Sequence, residues 1–265
     1  SNVAPLTKIS PIPFQVEFSE PILNFSAENI SISDGVISEF NNPIEGYALS
    51  FDGDDDYVEI PYSSSGLTNL NNLTLEAWVK LNSYEQSNGR ILHQWGSLGI
   101  YSLYVHSHNG TTTMIFNLDG MTSGGSLEYE IPTEDLGEWV NVCGTYDGSN
   151  LSLYKNGILM SSEPTTGNPS TIHDENPLHI GLNLDGEIGE ISIWNQAITI
   201  EEILDNMYSE LSGDEQGLVG YWNFDEGGGQ TLSDLSGNGN DGEIIGASWT
   251  EIENYNESSN IYSFE

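Results

Sequence analysis

The chain has 265 residues, with 4 Lys and Arg against 41 Asp and Glu, for a formal net charge of −37 at pH 7. So few cations cannot neutralise phosphates, which excludes nucleic acid and anionic lipid surfaces as partners. A charge of this size repels itself unless salt screens it or cations bind it, as in high salt or in millimolar calcium outside a cell. Cys143 is the single cysteine, so no intrachain disulfide forms, and no apolar run approaches the ~20 residues of a membrane span.

Taken in chain order, residues 1–43 give short alternating runs, Pro13–Pro21, Asn24–Gly35 and Val36–Phe40, with Asp34-Gly35 as a hairpin turn. Ile44–Ile60 reads as strand interrupted by the acidic turn Asp52-Gly-Asp-Asp-Asp56. Leu73–Leu81 sets Leu73, Leu75, Ala77 and Val79 against Thr74, Glu76, Trp78 and Lys80, the period of a strand. Arg90–Phe116 holds two or three strands, Leu118–Ser126 is a Gly-rich loop, and Leu127–Ile131 is a short strand. Between Gly137 and Gly157, the Asp147-Gly148 and Asn156-Gly157 pairs separate alternating runs and supply the positive φ that tight hairpins demand. This predicts a β-meander with Val140, Val142 and Gly144 on one face and Asn141, Cys143 and Thr145 on the other. Thr165–Asn176 is a polar loop, and Leu178–Leu182 and Glu187–Trp194 are strands. Ile200, Ile203, Leu204 and Met207 fall at helical spacing after Thr199, a good N-cap. Gly217–Trp249 is rich in Gly, Asn and Asp, and Asn260–Glu265 is strand-like.

Four stretches in order carry a resemblance: Ala48-Leu-Ser-Phe-Asp-Gly-Asp-Asp-Asp-Tyr-Val-Glu-Ile60, Leu73-Thr-Leu-Glu-Ala-Trp-Val-Lys80, Trp139–Gly157 and Gly186-Glu-Ile-Gly-Glu-Ile-Ser-Ile-Trp-Asn195. They resemble laminin-G-like, concanavalin A-like jelly-roll domains. The resemblance implies an all-β fold, a jelly-roll sandwich over 44–250. The Gly217–Trp249 motif precedes the Ala48 strand in many relatives, so either it begins a second repeat or it completes one sandwich in permuted order. The other motifs do not recur, which favours a single permuted sandwich whose Trp249 end closes beside the Ala48 strand. Residues 1–43 resemble the first half of a bacterial immunoglobulin-like repeat, with 251–265 as its returning strand. That resemblance implies a jelly roll inserted into a split immunoglobulin-like β-sandwich of a larger cell-surface adhesin, hence an extracellular location.

Calcium is the implied cofactor, because hard cations want several oxygens from carboxylates, amides and Gly-rich turns. The ligand candidates are Asp52, Asp54, Asp55 and Asp56, and then Asp225, Glu226, Asp234, Asn238 and Asp241, with Asn240 beside them. Both groups are expected near the strand of Glu190, where relatives carry Asp at the position of Gly189. Sugar recognition combines aromatic platforms with amides and charged groups. Trp78, Trp139, Trp194 and Trp222 sit in family motifs and read as core. That leaves Arg90, His93, Gln94, Trp95, Tyr101, Tyr104, His106, Asp119 and Asp185 for a ligand, with His108, His173, Asp174 and Asn183 as further possibilities. Glycoside hydrolases need two carboxylates about 5–9 Å apart. The Glu-x-Asp-x-x-Glu strand signature of such folds is absent, so no enzyme activity is expected. The sequence is left with a calcium-assisted glycan-binding module, or a structural spacer or protein-binding module.

Overall fold

The computed structural model describes residues 46–61, 67, 70–85, 88–94, 101–167, 169 and 176–252. The expectations for 1–43, for Trp95, His173 and Asp174, and for Asn260–Glu265 lie outside these residues. Within them, period-two alternation and Gly-containing turns produce β1 (Tyr47–Asp52), β2 (Tyr57–Ile60), β3 (Leu73–Leu81), β4 (Gly89–Gln94), β5 (Tyr101–His108), β6 (Thr111–Leu118), β7 (Met121–Ser123), β8 (Ser126–Glu130) and β9 (Trp139–Tyr146). The remainder is β10 (Asn150–Lys155), β11 (Ile158–Pro164), β12 (Thr166–Gly167), β13 (Leu178–Ile180), β14 (Asp185–Trp194), helix α1 (Ile200–Tyr208), β15 (Leu218–Trp222), β16 (Thr231–Leu232), β17 (Gly242–Ile245) and β18 (Ser248–Glu251).

Two eight-stranded sheets are formed. The first runs β11-β10-β9-β3-β14-β1-β18, with β15 also on β14; the second runs β16-β17-β2-β13-β4-β5-β6-β8. All the pairings are antiparallel, as in a jelly-roll sandwich. The Gly217–Trp249 segment completes both layers: β15 and β18 enter the first sheet, β16 and β17 the second. β18 lies against β1 with Leu49 opposite Trp249 and Ala48 opposite Thr250, and the Ile252 N–H donates to the Gly46 carbonyl at 2.9 Å. The chain thus closes beside its own Ala48 strand.

Between the sheets, alternate residues build one core that includes Leu49, Phe51, Val58, Leu75, Val142, Leu153, Phe116 and Trp222. The outward side of the first sheet forms a second apolar cluster, with Trp78, Cys143, Trp194 and Tyr221 under Ile203 and Met207 of α1. The helix starts where its sequence dictates. Thr199 accepts from the Glu202 N–H at 3.2 Å while the Glu202 carboxylate accepts from the Thr199 N–H at 2.6 Å, a reciprocal capping box. Of the four expected apolar helix positions, Ile203 and Met207 are buried and Ile200 and Leu204 are partly so. The Leu118–Ser126 and Thr165–Asn176 loops contain one more element than expected, because β7 pairs with β12 across them. Such two- and three-residue strands leave no periodicity to read.

The central meander has the expected turns, with Asn156 at φ 47° and Gly157 at φ 74°. At Gly144 the constraint is packing. A Cβ there would lie 2.6 Å from the Phe116 ring, which is itself fully buried. Gly144→Ala therefore forces the ring or strand β9 to shift, and unfolding by urea is expected to show a loss of roughly 1–3 kcal/mol with the fold retained. An unchanged midpoint would mean that the ring relocates freely.

Candidate functional site

The outward face of the second sheet is built by register. Strand pairing aligns Glu243, Glu59, His179, His93, Ser102, Asn117 and Ser126 in one row across seven strands. At about 4.8 Å per strand the row spans roughly 29 Å. A second row carries Arg90, Tyr104, Ile115 and Glu128, and a third His106, Thr113 and Glu130. Acids stand at both margins, on β17 and β2 and on β8, while imidazoles, a guanidinium and a phenol occupy the middle strands.

The middle of the face has definite chemistry. The Arg90 guanidinium lies over the Tyr104 ring, 4.2 Å from its centroid, a cation–π contact. His93 is buried, and burial, with Arg90 and His179 adding to it, lowers its pKa to about 4. It is therefore neutral across the physiological range. His179 Nε2 lies 3.4 Å from Glu59 Oε2, and its ring meets Tyr57 edge-on at 5.1 Å. His106 and His108 stack at 6.4 Å. Asp119 accepts from Asn117 Nδ2 at 3.1 Å, and its charge reaches Tyr104.

Of the residues singled out for a ligand, Arg90, His93, Tyr104, His106 and Asp119 thus come together. Gln94 and Tyr101 do not. Gln94 aligns with the core residues Leu178 and Ile60, and the buried Tyr101 hydroxyl donates to the Leu67 carbonyl at 3.0 Å. Asp185 pairs with Asp52 in the other sheet and belongs beside the acidic turn. Sequence reading passed over Ser102, Asn117, Glu59, His179 and Glu128. Their parity within each strand is readable, but cross-strand register is what unites them.

The acidic turn brings Asp52, Asp55 and Asp56 oxygens within 4.8 Å of one another. Asp52 Oδ1 accepts from the Asp54 N–H at 2.9 Å and Asp56 Oδ2 from the Asp52 N–H at 3.1 Å, which leaves oxygens free for a cation. Burial, and then the Asp52 and Asp55 charges, push the Asp56 carboxyl up, which is the condition a divalent ion relieves. The Gly246 turn closes on this group so tightly that a Cβ would sit 2.0 Å from Asp56 Oδ1. The donor set of hard oxygens fits calcium, completed by water. Asp54 is exposed and outside the trio.

The second acidic group is used differently. Asp234 accepts from the N–H groups of Tyr221, Ser236 and Asn240, Asp241 from Asp234 N–H, and Glu226 from Ser233 N–H, all between 2.7 and 3.1 Å. Asn238 and Asn240 donate to the Val219 carbonyl at 3.3 and 3.0 Å. These side chains cap their own loop, and the two acidic groups do not merge around Glu190. Asp225 alone approaches it.

Glu190 owes its position to a bulge: Gly189 and Glu190 together oppose Trp78, between the Ile188–Val79 and Ile191–Ala77 pairs. This turns Glu190 outward towards Glu76, which sits beneath α1 and accepts from Asn141 Nδ2 at 3.1 Å and Asn206 Nδ2 at 3.3 Å. Burial raises Glu76 to about 7 and Glu190 to about 8, the latter also through the charges of Glu76, Glu210 and Asp225. The pair Glu187 and Glu190 is likewise divided, since Glu187 Oε1 lies 2.8 Å from Lys80 Nζ.

With this geometry in place, the comparisons are decisive for the family. The family model described as the concanavalin A-like lectin/glucanases superfamily matches residues 52–204, more than half of the chain. The chain belongs to this superfamily. The strands β15–β18 lie beyond the matched span, yet complete both sheets of the superfamily fold. None of the curated proteins searched matches. Among solved structures, a candidate carbohydrate-binding protein from Bacteroides ovatus shares 17% identity at a TM-score of 0.62, covering 79% of this chain and 61% of that one. This chain therefore spans under two thirds of that relative. A pentraxin from Limulus polyphemus shares 15% identity at a TM-score of 0.46, over 63% of this chain and 83% of its own. Domain 4 of the arabinanase AbnA from Geobacillus stearothermophilus, solved with arabinotriose, shares 18% at 0.44, over 61% and 76%.

The raised carboxyls give a pH dependence of unusual sign. Glu76 and Glu190 bind protons more tightly when folded than at their ordinary value of 4.5. Stability is therefore greatest below about pH 5 and falls as pH rises through 7 and 8. Urea midpoints measured in chelator between pH 5 and 9 are expected to decline, and Glu190→Gln to flatten the decline. A midpoint that rises over this interval would contradict the placement of Glu190. Facing groups are Asn141 and Cys143 on β9, Ser192 on β14, Tyr221 on β15, Asn206 on α1, and Glu210 and Asp225 beyond.

Proposed function

We infer that this chain is a non-catalytic carbohydrate-binding module whose ligand lies on the outward face of the second sheet, with calcium bound at the Asp52–Asp56 turn. The observation that carries this reading is the alignment of the part-exposed Arg90, Tyr104 and Asn117 on one sheet face, with the buried His93 and Ser102 in the row beside them. Sugars present hydroxyl groups at their edges and C–H faces above and below. The Tyr104 phenol supplies an aromatic contact, and the Arg90 guanidinium and the Asn117 amide supply polar groups beside it. Membership of a superfamily that includes lectins supports the reading, as does the description of the Bacteroides ovatus relative. The superfamily also includes glucanases. Here Glu187 pairs with Lys80, Glu190 lies against Glu76 in a buried cluster, and the Glu-x-Asp-x-x-Glu signature is absent, which favours binding without cleavage.

Calcium serves the module by holding the β1–β2 turn. Three carboxylates within 4.8 Å repel one another without a cation, and the turn joins a strand of each sheet. Its role is thus to stiffen the sandwich rather than to touch the sugar. We place the module on a cell surface, within a larger adhesin, where millimolar calcium relieves a charge of −37.

A glycan array probed with the whole chain, in calcium and in chelator, tests the reading. At least one glycan is expected to bind, with Tyr104→Ala reducing binding tenfold or more at unchanged melting temperature. Binding to no glycan would favour a spacer or a protein-binding module instead. Calcium is expected to raise the melting temperature by several degrees, and Asp55→Asn with Asp56→Asn to abolish the rise. A shift that survives both substitutions would move the ion elsewhere.

A further inference from the structure

The proposed sugar face carries a charge anomaly. With 41 acids to 4 bases in the chain, a cation should find a carboxylate without difficulty. Among the described residues both lysines do: Lys80 Nζ lies 2.8 Å from Glu187 Oε1 and Lys155 Nζ 2.5 Å from Asp135 Oδ2. Arg90 has no such partner among them. It is half-buried, its face rests on Tyr104, and among the described residues the charge and hydroxyl of that phenol are what favour its charged form. Removing a charge from water without an opposite charge is costly, so the arrangement is incomplete as it stands.

The surroundings keep it incomplete. Glu59 lies two strands from β4 and Glu128 three strands away, so their backbones are about 10 Å or more distant, near the screening length at physiological salt. Asp119 is held by Asn117. His93, beside Arg90, is neutral and adds no competing charge. Stacking uses the guanidinium face and leaves donors at its planar edge, the edge that matches a carboxylate in bidentate fashion.

We propose that the ligand of this face is an acidic glycan, and that Arg90, held on the Tyr104 ring, selects it by pairing with the carboxylate of a uronic or sialic acid residue. The inference rests on the carbohydrate-binding reading and adds the class of sugar. The overall negative charge of the protein opposes any anion at long range, so the selection must act at contact distance, with the long-range repulsion screened by salt.

The test uses the whole chain, wild type and with Arg90→Gln or Arg90→Lys, titrated with sialyllactose and oligogalacturonate, their carboxyl-reduced forms, lactose and sulfated lactose. At least one carboxylated sugar is expected to bind tenfold or more tightly than its reduced form. That ratio should fall to near one in Arg90→Gln and to an intermediate value in Arg90→Lys, with unchanged melting temperatures as the check on folding. Equal affinity for acid and reduced forms, binding of sulfated lactose alone, or a ratio that survives Arg90→Gln would each overturn the proposal. Binding confined to neutral sugars would overturn it and leave the carbohydrate reading intact. Binding of none would remove both.

Discussion

The structure depends on β1 being paired on both edges, to β14 on one side and β18 on the other. Antiparallel pairing engages both edges of β1 at Leu49 and Ser50 and fixes which of its side chains face inward. Leu49 and Phe51 thereby enter the core, and the turn after Asp52 is held where Asp185 and the Gly246 turn meet it. A one-residue slip would expose Leu49 and Phe51 and break up the acidic trio. Pairing with β18 also moves the sheet edge from β1 to the four-residue β18, and short edge strands blunt association.

The two sheets use their outward faces in different ways. That of the first sheet is covered by α1, which shields Trp78, Trp194 and Cys143 and encloses Glu76. The family-motif tryptophans are not exposed platforms: Trp78 and Trp194 are buried beneath α1, Trp222 is buried between the sheets and Trp139 is partly buried. The second sheet carries its polar groups on the opposite side of the sandwich, in rows set by strand register and by a shift between Arg90 and Leu92. Its aromatic platform is consequently a tyrosine, fixed by an arginine rather than by packing in the core. The acidic turn has its own chemistry and joins the sheets, since Asp52 ends β1 and Asp56 leads directly into Tyr57 of β2, at one margin of the proposed sugar face.

Much of this was legible in the sequence. Alternation in Leu73–Leu81, the Asx-Gly turns of the meander and the Thr199 cap each act over a few residues, and short-range rules capture them. The return of Trp249 to the Ala48 strand could be argued from the order of motifs. What escaped was long-range. Glu76 has the parity of a solvated strand residue, and nothing local announces that α1 will cover it. Asp234 and Asp241 have the composition of calcium ligands, and nothing local announces that they also accept N–H groups from their own loop and from Tyr221 of β15. Gln94 and Tyr101 bear polar groups suited to a sugar, but the register carries them into the core. His179 joined the site only through its alignment with His93 and Glu59.

The central claim, that sugar is held on the outward face of the second sheet, is most directly tested by locating a bound glycan on the protein in solution. Backbone amide shifts of the isotopically labelled chain should be followed while the strongest array ligand is titrated in calcium. The account expects the saturable changes to concentrate on β4, β5, β6 and β13, centred on Arg90, His93 and Tyr104. Changes confined to α1 and the strands beneath it, with the second sheet unmoved, would contradict it.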